Sequence, residues 1–176
     1  MGARAWLRGL TWAKVVERVG LAPLVRMMNV YPPFVGAGVR VRAERSSAGG
    51  IAIVSEMTLR RWNKNFVGAH FGGSLYAMCD PFFVLILAER LGPGYFVIDQ
   101  GATIQFKKLG KGSVRARFEV SDAEVEEIRA GAERARSTSP KLTARVLDES
   151  GEVVAEVEKT LYVRKRRGYS WEARYG

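Results

Sequence analysis

The chain contains one cysteine, one histidine and no long uninterrupted hydrophobic run among its 176 residues. Cys79 has no partner for an internal disulfide bond, so we expect a reducing compartment, the cytoplasm. One histidine and one cysteine form no Cys/His cluster, so no metal site is predicted. The sequence also lacks an internal repeat and a long low-complexity segment. Its length and composition therefore favour one globular domain with a substantial core.

The sequence lacks the motifs that indicate cofactor binding, secretion or a membrane-spanning helix. Neither a P-loop nor a dinucleotide fingerprint is present, and we predict no cofactor. Charged residues interrupt the apolar positions of the basic N-terminal segment, which does not have the layout of a signal peptide. The apolar run from Leu75 to Leu87 contains Asp80 and Pro81 and is too short to cross a bilayer.

Positive charge is in excess, with 28 Lys and Arg against 18 Asp and Glu, a formal net charge of +10. Such an excess is typical of proteins that bind nucleic acid, an anionic membrane or a phosphate-bearing ligand. Much of it lies at residues 164–167, which are typical of a solvated tail. No basic helix carries interleaved aromatic residues, so we predict no sequence-specific nucleic-acid binding. The Trp-bearing N-terminal helix could instead contact a membrane surface or a second subunit.

The N-terminal part of the chain predicts helical structure. Residues 11–29 have apolar residues at helical spacing, with Thr11 as N-cap, and Gly20 and Pro23 interrupt them. Tyr31–Phe34 contains two prolines and predicts a rigid extended connector. We divide the chain into a helical extension over 1–34, a main domain over 35–166 and a basic, aromatic tail over 167–176.

Alternating apolar and polar residues predict about six strands, over 39–45, 51–59, 95–106, 113–120, 142–147 and 153–163. In the third of these, Phe96, Ile98, Ala102, Ile104 and Phe106 are expected on one face, and Gly101 marks a bulge or a close backbone approach. A capping-box pattern, Ser121–Glu124, opens a short helix.

The segment Gly72–Leu91 predicts one long helix that is apolar almost all round and must be buried. One such helix with about six strands indicates an α+β fold, in which an antiparallel sheet wraps around the central helix. Asp80 is an isolated acid at the edge of the apolar run, and burying it is costly unless something uses or satisfies it.

The spacing of Asn65, Gly72-Gly73 and Asp80 resembles that of PaaI-like acyl-CoA thioesterases of the hotdog-fold superfamily. In that family an Asn precedes a His-Gly-Gly that opens the central helix, and an acid follows within the helix. Phe106–Gly112 resembles the family's Phe-x-x-Pro-x-x-Gly turn, with Leu109 where Pro is usual. The segment Asn29–Gly112 looks most like a domain-of-unknown-function branch of the same superfamily.

This resemblance implies the hotdog fold and hydrolysis of an acyl-CoA or related thioester, at a composite site in a homodimer or a homotetramer. Backbone amides of Gly72 and Gly73 at the helix N-terminus would polarise the thioester carbonyl. Asp80 would be the general base or the nucleophile, and Asn65 would orient water or hold the carbonyl. The catalytic candidates are therefore Asp80, Asn65 and Gly73.

The chain departs from the family pattern at one position. With the Gly-Gly pairs aligned, Phe71 occupies the place of the family's histidine and His70 lies one residue earlier. The direct role of His70 therefore stays open. The substrate-binding candidates are Gly72, His70, Phe71, Ser74 and Tyr76.

Structural roles compete with these assignments. Asp80 could be the N-cap of a helix that restarts at Pro81. The glycines could simply allow close packing, and Asn65 could be a turn residue. Two other functions also stay open. One is a non-catalytic acyl-CoA or lipid-binding hotdog protein. The other is a hotdog dehydratase or hydratase, although Val84 occupies the position of the acid that such enzymes need.

Overall fold

The structure, a computed structural model, describes residues 19–166. Its strands form one antiparallel sheet of seven in the order β1-β2-β4-β6-β7-β3, and the short β5 pairs with β7. The strands are β1 (Val39–Arg45), β2 (Ile51–Thr58), β3 (Tyr95–Phe106), β4 (Ser113–Phe118), β5 (Ser137–Thr138), β6 (Lys141–Asp148) and β7 (Val153–Lys165). The helices are α1 (Leu21–Met27), α2 (Pro32–Ala37), α3 (Gly72–Ala77), α4 (Phe82–Leu91) and α5 (Asp122–Ala135), with a 3-10 turn at Met28–Val30. The predicted α+β class with an antiparallel sheet is confirmed.

Helix α4 lies against the inner face of the sheet and forms the centre of the core. Phe82, Leu85 and Ile86 are almost fully buried. The Phe82 and Phe83 rings pack on Phe118 of β4, with ring centroids 4.9 and 5.3 Å away. Full burial of one such side chain stabilises the fold by about 1.5–3 kcal/mol. The prediction that the segment Gly72–Leu91 is buried on nearly every side is confirmed for α4, whereas the first part of the segment is only partly buried.

The central helical segment is divided, and the prediction of one continuous helix from Gly72 to Leu91 is wrong. Helix α3 ends at Ala77, α4 begins at Phe82, and the Asp80–Pro81 peptide bond between them is cis. Proline has no N–H to donate and its ring clashes with the preceding turn, which prevents the helix from continuing through it. The N-cap of α4 is Pro81, and no side chain caps this helix. The alternative in which Asp80 is the cap is therefore also wrong.

The Pro-Pro segment is helical, so the predicted extended connector is wrong. Tyr31 is the N-cap of α2 and the two prolines occupy its first positions, where a missing N–H costs nothing. Gly38 has φ 77°, the left-handed conformation in which helices commonly end. Of the helix predicted over 11–29, the structure contains α1. Thr11 and the preceding residues, like the tail over 167–176, lie outside the described residues.

Asn29 covers one edge of the sheet. Its side chain accepts a hydrogen bond from the backbone N–H of Val41 and donates one to the Val41 carbonyl, both at 2.9 Å. The Asn29 amide therefore satisfies the backbone N–H and carbonyl of Val41 at the outer edge of β1, as a neighbouring strand would. Leu24 and Val25 of α1 lie in the same core as α4. The domain boundary at residue 34 stays a prediction.

A bulge in β3 changes which side chains face the core. Asp99 is opposite Leu161 of β7, whereas Ala102 is opposite Lys159, and the register shifts between Asp99 and Gly101. The extra residue reverses the alternation, so Phe96 and Ile98 lie on the outer face while Ala102, Ile104 and Phe106 lie on the inner one. The prediction that these five share a face is wrong, because a bulge moves every later side chain to the opposite face.

Candidate functional site

The side chain of Asp80 points to a buried lysine on the sheet. The Lys159 Nζ donates to Asp80 Oδ1 at 2.5 Å, and it also contacts Asp99 Oδ2 at 3.1 Å and the Tyr76 hydroxyl at 3.2 Å. The ammonium lies over the Tyr76 ring, 5.2 Å from its centroid. We call Tyr76, Asp80, Asp99 and Lys159 the Lys159 cluster. It joins α3, the α3–α4 connection and two strands of the sheet.

Lys159 occupies a core position. It lies between Val157 and Leu161 on the inner face of β7, and its side chain is 1% exposed. Asp99 faces the same interior from β3. Our sequence reasoning missed both residues. The signal was present, because Lys159 interrupts the apolar alternation of Val153, Ala155, Val157, Leu161 and Val163.

The cluster contains one cation and two carboxylates. Burial opposes charge on the Lys159 ammonium, but Asp80 and Asp99 outweigh it and raise the pKa of Lys159 above its ordinary value. Burial raises the pKa of Asp99, an effect that Lys159 opposes and Asp80 reinforces. The Asp80 side chain is 42% exposed and that of Asp99 28%. Asp80 is therefore the carboxylate more open to solvent.

Cys79, next to Asp80, is not a nucleophile candidate. It is fully buried and its Sγ donates to the Leu75 carbonyl at 3.4 Å. Burial raises the pKa of this thiol to about 12, so very little thiolate forms near neutral pH.

Gly72 and Gly73 form the first turn of α3, which follows Phe71 as N-cap. The first intrahelical bonds come from the Ser74 and Leu75 amides, so the two glycine amides have no acceptor within the helix. A Cβ on Gly72 would lie 3.0 Å from Phe106 Cζ, and one on Gly73 would lie 2.6 Å from Phe71 Cε1. Gly72 therefore permits the close approach of β3 to α3, which is a packing role.

Asn65 organises its own loop. Its Oδ1 accepts from the Val67 and Ala69 amides at 3.1 and 3.0 Å, and its Nδ2 donates to the His70 carbonyl at 3.3 Å. These bonds are those of the turn residue that the sequence left as the alternative. A role of Asn65 towards a substrate stays a prediction.

His70 is buried beneath the β3–β4 loop. Its Nε2 donates to the Gly112 carbonyl at 3.1 Å and its backbone N–H donates to the Gly110 carbonyl at 3.0 Å. Nδ1 has no hydrogen-bond partner among the described residues. Burial lowers the pKa of the imidazole, which favours the neutral ring. The histidine thus joins two loops, and its predicted contact with substrate stays a prediction.

The structure brings two of the predicted residues, Tyr76 and Asp80, into one cluster. Ser74 is buried in the first turn of α3, whereas the Phe71 side chain is 56% exposed beside the glycines. The Asn65 side chain instead forms its hydrogen bonds within its own loop, and the His70 side chain bonds to the β3–β4 loop.

Two kinds of feature are absent from residues 19–166. No helix there is long and apolar enough to cross a membrane. Within the same residues, no three or more His, Cys, Asp or Glu side chains are grouped so that they could hold a metal ion.

Comparison with known protein families gives one match that covers most of the chain. Residues 22–163 match the family described as "Domain of unknown function (DUF4442)". The chain belongs to this family. No curated protein sequence gives a significant match to this DUF4442 protein.

Solved structures with a similar fold include proteins named as thioesterases. A protein of unknown function from Pseudomonas aeruginosa, named as a candidate thioesterase, has a TM-score of 0.68 and 23% identity over 82% of this chain and 95% of its own. A thioesterase from Haemophilus influenzae has a TM-score of 0.57 and 14% identity over 84% and 94%. A variant of the phenylacetic acid degradation protein PaaI from Thermus thermophilus has a TM-score of 0.50 and 23% identity over 74% and 97%. The resemblance to PaaI-like hotdog proteins is confirmed, and at these identities it concerns the fold.

Proposed function

We propose that this DUF4442 protein is a thioester hydrolase that acts on an acyl-CoA or a related acyl thioester. The observation that carries the proposal is the Asp80 carboxylate, which is open to solvent and hydrogen-bonded to a buried ammonium. It follows, after a short helix, two glycine amides without intrahelical acceptors. The similar fold of proteins named as thioesterases supports the same reaction.

In this reaction Asp80 is the general base. It accepts a proton from water as the water oxygen bonds to the thioester carbonyl carbon. Backbone amides at the start of α3, Gly73 foremost, donate to the oxyanion that forms. The C–S bond then breaks, the acyl group leaves as a carboxylic acid and the sulfur takes up the proton as a thiol.

The open edge of β3 supports a composite site between two copies of the chain. Among the strands of residues 19–166, β3 pairs only with β7, so its other edge is free. Phe106, on the inner face of this strand, is 54% exposed beside Gly72. A second copy that adds its own β3 would cover this side chain, and the resemblance to PaaI-like proteins implies that its Asp80 would face the glycine amides. We therefore propose a homodimer, or a dimer of dimers, as the active form.

The dehydratase alternative has less support. A dehydratase of this fold needs a histidine and an acid that together move a proton. Here the Nε2 of His70 is engaged by the Gly112 carbonyl, and Val84 occupies the position of the acid. The non-catalytic alternative is an outcome of the experiment below.

The test is thiol release from acyl-CoAs of graded chain length, with wild type and Asp80→Asn compared. We expect the variant to lose about 10²–10⁴-fold in kcat/KM, the usual contribution of a general base. Glu158→Gln is the matched control, since Glu158 neighbours Lys159 in β7 but pairs with Lys141 and is not part of the Lys159 cluster. Its activity should equal that of wild type.

Three outcomes would contradict the proposal. Wild type could release no thiol from any thioester, and acyl-CoA binding in that case would favour the non-catalytic protein. Asp80→Asn could match wild type. A 3-hydroxyacyl thioester could lose water without releasing thiol, which would favour the dehydratase.

A further inference from the structure

The second carboxylate of the Lys159 cluster has no evident structural purpose. Lys159 and Asp80 already form a neutral pair, and the less exposed Asp99 adds a negative charge that costs free energy to remove from water. Lys159 is the only cation paired with either carboxylate among the described residues. With all three groups charged, the cluster has one negative charge in excess.

Within residues 19–166, the other groups around the cluster bring no second positive charge. α3 presents the Tyr76 hydroxyl, the α3–α4 connection presents Cys79 and Asp80, β3 presents Asp99, and β7 presents Lys159. On the other side of β7, Leu142 of β6 is opposite Lys159 and brings no charge. Asp99 Oδ1 is buried and has no hydrogen-bond partner in the part of the chain that the structure describes. A buried oxygen without a partner is costlier to keep charged than neutral, which favours the protonated form of Asp99.

We propose that Asp80 and Asp99 act as one proton-accepting pair, in which Lys159 neutralises one carboxylate and the other takes the proton released by the attacking water. The inference rests on the proposed hydrolase function. Asp80 is the catalytic residue, because it is the more exposed carboxylate. Asp99 and Lys159 are positioning residues that set how strongly Asp80 holds the proton.

The reaction step balances without any further reactant. Water loses one proton to the pair while its oxygen bonds to the carbonyl carbon, and the cluster changes from a net charge of −1 to 0. When the C–S bond breaks, the proton passes to the leaving sulfur, and the cluster returns to −1. Asp80 and Asp99 contact the same Lys159 ammonium, and two carboxylates that share one cation hold a proton more tightly than a single lysine-paired carboxylate does. Burial is the main cause of the raised pKa of Asp99, and the nearby Asp80 carboxylate adds to it.

The proposal predicts opposite pH shifts for two substitutions. Asp99→Asn leaves a simple Lys159–Asp80 pair. The acid limb of the pH profile of kcat/KM should therefore move to lower pH by about 1 unit or more. Lys159→Met removes the cation and leaves two carboxylates, so the limb should move to higher pH by a similar amount. Lys159→Arg retains the charge and should keep the limb near its wild-type position. A purely structural cluster would lower activity without opposite shifts.

A second readout does not depend on turnover. In protein with 13C-labelled aspartate, the side-chain carboxyl signals of Asp80 and Asp99 should titrate together in two steps. In Asp99→Asn the Asp80 signal should titrate in one step at lower pH. If Lys159→Met does not fold, Asp99→Asn and Lys159→Arg still decide the question, since both keep a cation paired with Asp80.

The outcomes separate this inference from the proposed function. Coupled carboxyl titration without thioester turnover would support the proton-sharing pair and overturn the hydrolase. Turnover with independent single-step titrations, each unchanged by removal of the other carboxylate, would support the hydrolase and overturn the pair. Acid limbs that shift in the same direction in Asp99→Asn and Lys159→Met would also overturn the proton-sharing pair.

Discussion

Gly73→Ala separates a catalytic role of the α3 N-terminus from a packing role. The added Cβ would lie 2.6 Å from Phe71 Cε1 and 3.2 Å from Phe71 Cζ, and these are atoms at the far end of an exposed ring. The Phe71 ring must therefore move, and solvent lies beside it. The backbone of Gly73 is not in the left-handed region, so alanine can adopt its conformation.

The expected change in folding stability is small. Alanine in place of glycine within a helix stabilises by about 0.5–1 kcal/mol. Moving the Phe71 side chain about 30° off its rotamer costs about 0.5–1.5 kcal/mol. The two effects nearly cancel, so the free energy of unfolding should change by about 1 kcal/mol or less. Urea denaturation followed by tryptophan fluorescence measures it.

The expected change in activity is large. If the Gly73 amide donates to the oxyanion, a methyl group beside it and a displaced Phe71 ring should lower kcat by about 10²–10³-fold, the usual effect of losing one oxyanion donor. Gly36→Ala is the matched control, because Gly36 lies within α2 and nothing stands within 4 Å of its added Cβ. That variant should gain slightly in stability and keep full activity.

Two results would refute this reasoning. If Gly73→Ala folds and hydrolyses thioesters within a few-fold of wild type, the amide is not an oxyanion donor. If instead it loses about 3 kcal/mol of stability or more, a value typical of a disrupted core, the Phe71 ring is not free to move and the packing role is correct.

The remaining predictions concern stability. Phe118→Ala should lower the free energy of unfolding by about 3–5 kcal/mol, because Phe118 is fully buried with the Phe82 ring 4.9 Å away. A loss below about 1 kcal/mol in urea denaturation would contradict this account of the core. His70 has a lowered pKa in the folded protein, so the unfolded chain binds the proton more readily. The free energy of unfolding should therefore fall as pH drops below about 6.5, by up to ~1.4 kcal/mol per pH unit from this group. Because His70→Gln removes the group, its slope should be smaller by that amount, and equal slopes would count against the prediction.

Local patterns predicted the strands and the cap of α5 well. Val114, Ala116 and Phe118 of β4 alternate with exposed arginines and are buried, as the sequence predicted. The capping box at Ser121 and Glu124 is present with both of its hydrogen bonds. These features depend on neighbours within a few residues, and such neighbours are visible in the sequence.

The errors arose where a distant contact or one extra residue decides the structure. The bulge after Asp99 was expected near Gly101, but its effect on every later side chain of β3 was not. Two prolines were interpreted as an extended segment, although proline also suits the first turn of a helix. Asn29 covers the edge of β1 through contacts twelve residues along the chain, which no local pattern predicts.

The candidate site was predicted only in part. Asp80 was singled out because an isolated acid in an apolar run needs a partner, and Lys159 is that partner. The partner lies 79 residues further along the chain, so only the folded structure identifies the pair. A charged residue at a core position of β7 was the one sign of Lys159 that the sequence carried.

Among residues 19–166, one edge of β3 is unpaired, and this has a consequence for how the protein must be handled. Twelve residues from Tyr95 to Phe106 contain no proline, and their only charged side chain, Asp99, points inward to Lys159. Natural edge strands usually carry outward lysines, prolines or covering loops that discourage pairing with foreign strands. An isolated chain therefore offers a template for pairing to any extended polypeptide. We expect low yields of soluble monomer and aggregation that increases with protein concentration.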